Sequence, residues 1–289
     1  MSEADWSCDW PAPAKLNLML RIIGRRSDGY HELQTVFQFL GHTDRLAFRV
    51  RDDGRIQRET DLPGVPEQDD LTVRAARLLQ ENCSGVPGSG PLGVDIRLQK
   101  RLPMGGGLGG GSSDAATVLV ALNRLWGCNQ ETKELARLGL KLGADVPIFV
   151  NGNAAWAEGV GERLQPVDLE QPWYLVVVPQ VHVSTAEIFQ APELTRNSST
   201  ITIRAFIAGD RRNDCLPVVR ERYPQVAQVM QWLADYTQPQ LTGTGACVFG
   251  AFDSKVEADT VLQALPGSWK GFVARGLNRS PLLDRVNDY

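Results

Sequence analysis

The sequence predicts an α+β protein, and three observations carry that reading. Segments with period-two alternation and segments with helical spacing both occur, but in mixed order rather than as a regular strand–helix–strand alternation. Turn signals such as Asp28-Gly29 and Asp52-Asp53-Gly54 separate the early strands. The chain has 289 residues, 43% apolar and 22% charged, an ordinary globular balance with enough length for one large domain or two of average size.

Residues 14–23 alternate: Ala14, Leu16, Leu18, Leu20 and Ile22 share one face, and Lys15, Asn17, Met19 and Arg21 the other. This spacing predicts a strand with one buried face. A second strand is expected over 33–40, making 14–40 a hairpin, and a third over 45–50. Leu71, Ala75, Leu78 and Leu79 form one stripe of a helix over 69–82 with acids at its start. The Gly/Pro/Ser stretch 85–91 reads as a loop, and 94–98 as a strand. A helix is expected over 113–126, capped by Ser112, Ser113 or Asp114, and another over 131–142 with Gly143 as its stop signal. Later come a short strand at 173–178, helices near 213–221, 224–236 and 254–265, and a strand near 271–275. The domain change is placed between 150 and 170, giving units 1–160 and 161–289.

Composition narrows the function classes. The net charge is −4 and no Lys/Arg block occurs, so general nucleic-acid or anionic-membrane binding is disfavoured. The longest apolar run, Trp173–Val178, is far short of a membrane span, and the acidic start MSEADWSCDW does not resemble a signal peptide. The expectation is a cytoplasmic protein. Five cysteines, widely spaced and odd in number, suggest no disulfide framework, and three histidines without HExxH suggest no dedicated transition-metal site.

The 28 glycines are unevenly placed: six of the seven positions 105–111 are glycine. Glycine loses the most backbone freedom on folding, so such a run needs a reason. Bare N–H groups ahead of a helix can cradle an anion, and the helix dipole favours negative charge there. A flexible linker is the alternative, but linkers seldom run straight into a well-capped apolar-periodic helix. The loop lacks GK[ST], so it is not the common P-loop. Gly105-x-Gly107-x-x-Gly110 matches a dinucleotide fingerprint, but the preceding strand is half polar and no acid follows at the required distance outside a new helix. Lys15 and Asn17 read equally as a solvated strand face, and Asp145 as the N-cap of a helix opening at Pro147. Tyr30-His31 reads by default as an exposed turn, and Gly243-Thr244-Gly245 as a tight turn.

Taken in order, PAKLNL (13–18), PMGGGLGGGSS (103–113), LGADVPIF (142–149) and LTGTGACVF (241–249) resemble the motifs of the GHMP kinases over nearly the whole chain. DGYHEL (28–33) and Asn213-Asp214-Cys215 resemble the branch that acts on a cytidyl diphosphate of a sugar alcohol. The resemblance implies two domains: an N-terminal α+β domain binding ATP and a C-terminal ferredoxin-like α+β domain, with the active site in the cleft between them. It implies ATP and Mg²⁺, a small-molecule cytidyl substrate, no nucleic-acid or membrane partner, and a monomer or homodimer. Asp145 corresponds to the general base and Lys15 to the lysine beside it. The phosphates would lie on Pro103, Met104, Gly105, Gly106, Gly107, Leu108, Gly109, Gly110, Gly111, Ser112 and Ser113, with Lys100 near adenine. Asn17 would stand near the reacting hydroxyl, Tyr30 and His31 at the cytidine, and Thr185 and Phe189 at further substrate contacts. The family's DNL-like sequence is here Asp69-Asp70-Leu71, so Asp70, an acceptor only, is expected to accept from the adenine amino group. A homoserine- or mevalonate-type kinase, or a non-catalytic sensor on the same scaffold, are the competing readings. The Tyr30-His31 tip argues against the first, and retention of both Lys15 and Asp145 against the second.

Overall fold

A computed structural model describes residues 6–83 and 90–287. Its spine is a long antiparallel hairpin, β1 (Ser7–Arg25) and β2 (His31–Arg51), closed by a turn in which Arg26 N donates to Tyr30 O at 2.7 Å. The strands expected at 33–40 and 45–50 are one strand. β1 runs beside both, from Leu20 opposite Thr35 to Ser7 opposite Phe48, and register irregularities absorb the mismatch, including one where Ala14 of β1 faces Leu40, Gly41 and His42 of β2. Such bulges re-aim the side chains next to them.

Around β2 the sheet extends both ways. On one side lie β4 (Gly93–Gln99) and the short parallel β3 (Ile56–Arg58). On the other lies β10 (Lys270–Leu277), followed by β7 (Trp173–Val178), β9 (Val248–Phe252) and β8 (Gln240–Leu241). The hairpin β5 (Ala155–Gly159) and β6 (Arg163–Pro166) pairs with β2. β10 joins the halves: Gly276 and Leu277 pair with β2, and Lys270–Arg275 pair with β7.

Three apolar clusters follow from this layout. The first packs α1 (Leu71–Glu81), α2 (Gly110–Leu125), α3 (Thr132–Leu140) and α4 (Val146–Asn151) on β2 and β4. The second packs α5 (Thr185–Gln190), α7 (Leu216–Arg222), α8 (Pro224–Leu233) and α9 (Lys255–Gln263) on β7 and β9. The third lies between them and includes Leu16, Leu18, Leu40 and Leu108, with Phe206 of α6 (Ile203–Ile207). The closing helix α10 (Pro281–Asn287) returns Leu282 to the first cluster. β1 touches all three, so residues 10–22 are buried on both faces and the expected solvated face of Lys15 and Asn17 does not exist.

Other differences have local causes. α2 begins at Gly110, inside the glycine run, with left-handed Gly109 (φ +72°) at its N-cap instead of a serine or Asp114. Ser113 and Asp114 are turned inward and buried there. The six-residue α4 starts where a helix opening at Pro147 was one reading of Asp145, and left-handed Gly152 ends it. α5 has six residues and α6 five, too short for a periodic signal. Most of the 85–91 loop lies outside the described residues.

The cysteine reading needs correction. Cys83 and Cys128 form a disulfide, with Cα atoms 5.4 Å apart and a sequence separation of 45. Wide spacing concealed a pair that α1 and α2, packed side by side, bring together at their C-terminal ends. Closing a loop of this size stabilises by up to about 4 kcal/mol in the chain-entropy account. Dithiothreitol is therefore expected to lower the thermal midpoint of the wild-type chain, and to leave Cys128→Ser unchanged. An equal shift in both proteins would contradict the pairing.

Candidate active site

A cavity of about 1130 Å³ opens where the hairpin, the glycine loop and the second half of the chain meet. That exceeds the usual ~300–1,000 Å³ for a single small ligand and leaves room for two. It is lined by Lys15 and Asn17 of β1, the turn at Tyr30 and His31, the loop 103–112, Asp145 at the start of α4, and Thr185 and Phe189 of α5. Ser113 is the one expected site residue that does not line it. Its side chain is fully buried and its Oγ has no hydrogen-bond partner.

Lys15, next to the β2 bulge that faces Ala14, lines this cavity. Its Nζ lies 3.2 Å from Asp145 Oδ2, and it donates to Asn17 Oδ1 at 2.5 Å and to Gly107 O at 3.1 Å. The ammonium is 3% exposed, whereas the Asp145 side chain is 35% exposed. Asp145 occupies the N-cap position of α4 but makes no side-chain capping bond. The capping alternative therefore gives way: one carboxylate edge pairs with a buried cation and the rest faces the cavity. Asn17 is fixed at both ends, its N–H donating to Thr242 Oγ1 at 3.0 Å and its Nδ2 to Thr35 Oγ1 at 2.9 Å.

The glycine loop is held by its carbonyls, which frees its N–H groups for other partners. Gly106 O accepts from Cys247 N, Gly107 O from Lys15 Nζ and Thr242 Oγ1, and Leu108 O from Lys15 N. Gly107 (φ +78°) sits so close to the Thr242 carbonyl that a Cβ would overlap it. At Gly109 (φ +72°) a Cβ would come 2.8 Å from Phe149 Cζ and 3.1 Å from Lys15 Cε. Both glycines are thus required by packing within the protein before any ligand arrives.

At the junction of loop and helix, Lys100 Nζ donates to Asp44 Oδ2 at 2.5 Å and to Asp114 Oδ2 at 2.8 Å. Asp44 Oδ1 accepts from the N–H groups of Arg101 and Leu102, anchoring the chain where the loop departs. Burial works against the Lys100 ammonium, but the Asp114 and Asp44 carboxylates outweigh it and its pKa rises. Burial pushes the Asp114 carboxyl upward, and Lys100 pulls it back only in part. Lys100 lines the cavity, but its charge is already shared between two carboxylates. Asp70 is similarly occupied: Oδ1 caps α1 through Thr72 N and accepts from Thr72 Oγ1, and Oδ2 pairs with Arg58 at 2.5 Å. Both carboxylate oxygens thus carry partners within the protein, with one acceptor position on Oδ2 left toward the cavity that Asp70 lines.

At the opposite end, His31 stacks on Phe189 with ring centres 4.9 Å apart and planes 25° apart, while Tyr30 is 61% exposed at the mouth. Burial, with the charges of Arg196 and Arg25, pulls His31 below its usual value. Thr185 and Thr244 hydroxyls meet at 2.9 Å across the cavity wall. The sequence reading missed Thr242, Thr244, Asp44 and Arg196. The two threonines lie in the LTGTGACVF motif and were within reach as glycine-flanked hydroxyls; nothing local marked Asp44 or Arg196.

Among the described residues, no group of three His, Cys, Asp or Glu side chains is placed to hold a metal ion, and no helix is long and apolar enough to cross a membrane.

Two family models match: GHMP kinases N terminal domain over residues 70–153, and GHMP kinases C terminal over 195–271. The chain is 57% identical over 281 residues to 4-diphosphocytidyl-2-C-methyl-D-erythritol kinase of Halorhodospira halophila, covering 96% of each. It is 60% identical over 272 residues to the protein of that name from Pseudomonas savastanoi pv. phaseolicola, covering 94% of this chain and 93% of that one. A crystal structure of 4-(cytidine 5'-diphospho)-2C-methyl-D-erythritol kinase superposes with a TM-score of 0.78 at 33% identity, over 92% of this chain and 98% of that one. A mevalonate kinase structure superposes at 0.66 with 13% identity, a likeness of fold alone.

Proposed function

The chain belongs to the GHMP kinases, in the group of the 4-diphosphocytidyl-2-C-methyl-D-erythritol kinases of the methylerythritol phosphate route to isoprenoids, and we propose that it moves the γ-phosphoryl group of ATP to the 2-hydroxyl of that substrate with Asp145 as general base. The observation that carries the assignment is the Lys15–Asp145 pair, half of it buried and half open, on a cavity with room for two ligands.

Phosphoryl transfer requires positioning and charge stabilisation more than covalent chemistry. The N–H groups of the glycine loop and the start of α2 bind the phosphates, and Lys15 stands between loop and base. A protonated alcohol is a poor nucleophile. Asp145 accepts its proton as the oxygen attacks phosphorus, while Asn17, fixed by Thr242 and Thr35, orients the hydroxyl. The nucleotide and Asp114, whose Oδ1 is buried without a partner, suit Mg²⁺, which commonly takes one or two carboxylates together with substrate phosphates. When bound, the ion offsets phosphate charge. Lys100 supports the loop from beneath, and Asp70 with Arg58 shapes the adenine side.

The cytidyl group is assigned to the end with Tyr30, His31 and Phe189, with Thr185 beside it. The nucleotide half is residues 1–160 and the ferredoxin-like half 161–289. The protein is placed in the cytoplasm as a monomer or homodimer that binds neither nucleic acid nor membrane. Stacking on one aromatic side chain stabilises a base by roughly 1–3 kcal/mol, so Tyr30→Ala is expected to raise KM for the cytidyl substrate roughly 5- to 100-fold. KM for ATP should stay within twofold. Equal rises in both would contradict the cytidyl assignment.

A further inference from the structure

Arg196 follows α5 and reaches back to the hairpin tip. Its Nη1 donates to Leu194 O at 3.0 Å, and its Nη2 donates to Phe189 O at 2.8 Å and Ala191 O at 2.7 Å. The fourth bond runs from Nε to His31 Nε2 at 3.2 Å. One guanidinium thereby ties the backbone of one aromatic wall to the ring of the other.

That fourth bond has a chemical direction. A guanidinium has five N–H donors and no acceptor, so His31 Nε2 must be the accepting nitrogen. A neutral imidazole whose Nε2 accepts carries its proton on Nδ1. Arg196 also disfavours a second proton on the ring, in the same direction as burial and Arg25.

We infer that Arg196 is a positioning residue for base selection: it fixes the His31 proton on Nδ1, so that the ring presents a donor to the pyrimidine and selects cytosine over uracil. The inference rests on the cytidyl reading above. Cytosine N3 is an acceptor, whereas uracil carries N3–H. A fixed donor pairs with the first and opposes the second. The geometry agrees, because His31 lies nearly parallel to Phe189 with offset centres. A base in the plane of His31 would meet Nδ1 edge-on and share the Phe189 face. An imidazole free to exchange tautomers could donate to cytosine and accept from uracil, and would discriminate poorly.

The test is competition by CMP and UMP against the cytidyl substrate, in wild type, Arg196→Gln and Arg196→Lys. A glutamine amide can accept as well as donate, so it releases the tautomer; lysine still only donates. Wild type is expected to prefer CMP by roughly tenfold or more, the scale of one well-made base-edge contact. Arg196→Gln should bring the two inhibition constants within about threefold, and raise KM for the cytidyl substrate more than it lowers kcat. Arg196→Lys should keep most of the preference. Nitrogen-15 spectra supply a readout independent of activity: with three histidines in the chain, His31 is assignable by loss of its signals in His31→Gln. Wild type should show Nδ1 protonated, and Arg196→Gln a gain of the Nε2–H form. Protonated Nε2 in wild type, or an unchanged CMP preference in Arg196→Gln, would overturn the inference while leaving the cytidyl site intact. A wild-type enzyme indifferent to the two nucleotides would overturn both.

Discussion

Asp145→Asn is expected to bind ATP and the cytidyl substrate as wild type does, and to lose about 10²- to 10⁴-fold in kcat, the range associated with a positioned general base. An amide keeps the size and much of the hydrogen bonding but has no basic oxygen. Asp145 caps nothing, but it is the carboxylate paired with the buried Lys15, so the change should also lower the thermal midpoint while leaving the fold intact. Lys15→Ala should lose a comparable factor for a different reason. It removes the cation beside the base, leaves Asn17 Oδ1 without its donor and Gly107 O with Thr242 Oγ1 alone, so it also costs stability. Single-turnover rates with calorimetric binding constants separate the two cases. Near-wild-type kcat in Asp145→Asn would remove it from the role of base.

Gly107→Ala is the second large effect. Gly107 and Gly64 both have φ +78°, but around Gly64 no atom lies within 4 Å of a Cβ, whereas at Gly107 a Cβ would overlap the Thr242 carbonyl. Alanine at 64 therefore reports backbone strain alone, about 1–3 kcal/mol. Alanine at 107 adds a backbone clash that only movement of the loop away from residues 242–245 can relieve. That movement takes Gly107 O off Lys15 and Thr242. Nucleotide affinity and kcat/KM should each fall at least tenfold in Gly107→Ala and stay within twofold in Gly64→Ala. Matched losses would show that conformational strain, not loop placement, is responsible.

The legible parts of this chain were those with a strong local signal. The alternation of 14–23, the stripe of α1, the WYLVVV strand and the helix near 254–265 all follow from nearest-neighbour chemistry. The glycine run was legible as a loop feeding a helix, but its reason was only partly so. Gly107 and Gly109 answer to Thr242, Phe149 and Lys15, which are distant in sequence. The same limit explains Lys15 and Asn17. Their strand face reads as solvated until the second half of the chain covers it. Asp145 was ambiguous because an N-cap acid and a functional acid look alike before Pro147; the absence of a capping bond separates them. Cys83 and Cys128 carry no local sign of pairing. The Asp70–Arg58 pair carried no local sign because Arg58 lies across a loop.

The central claim is that this cavity joins ATP to a cytidyl diphosphate sugar alcohol through the Lys15–Asp145 pair. It is tested most directly by incubating the purified full chain with Mg-ATP and 4-diphosphocytidyl-2-C-methyl-D-erythritol, and following ADP and product by phosphorus-31 NMR. The account predicts one ADP per new phosphomonoester, with the diphosphate bridge intact and no turnover of homoserine or mevalonate. Phosphorylation of either of those alcohols, with none of the cytidyl substrate, would contradict it.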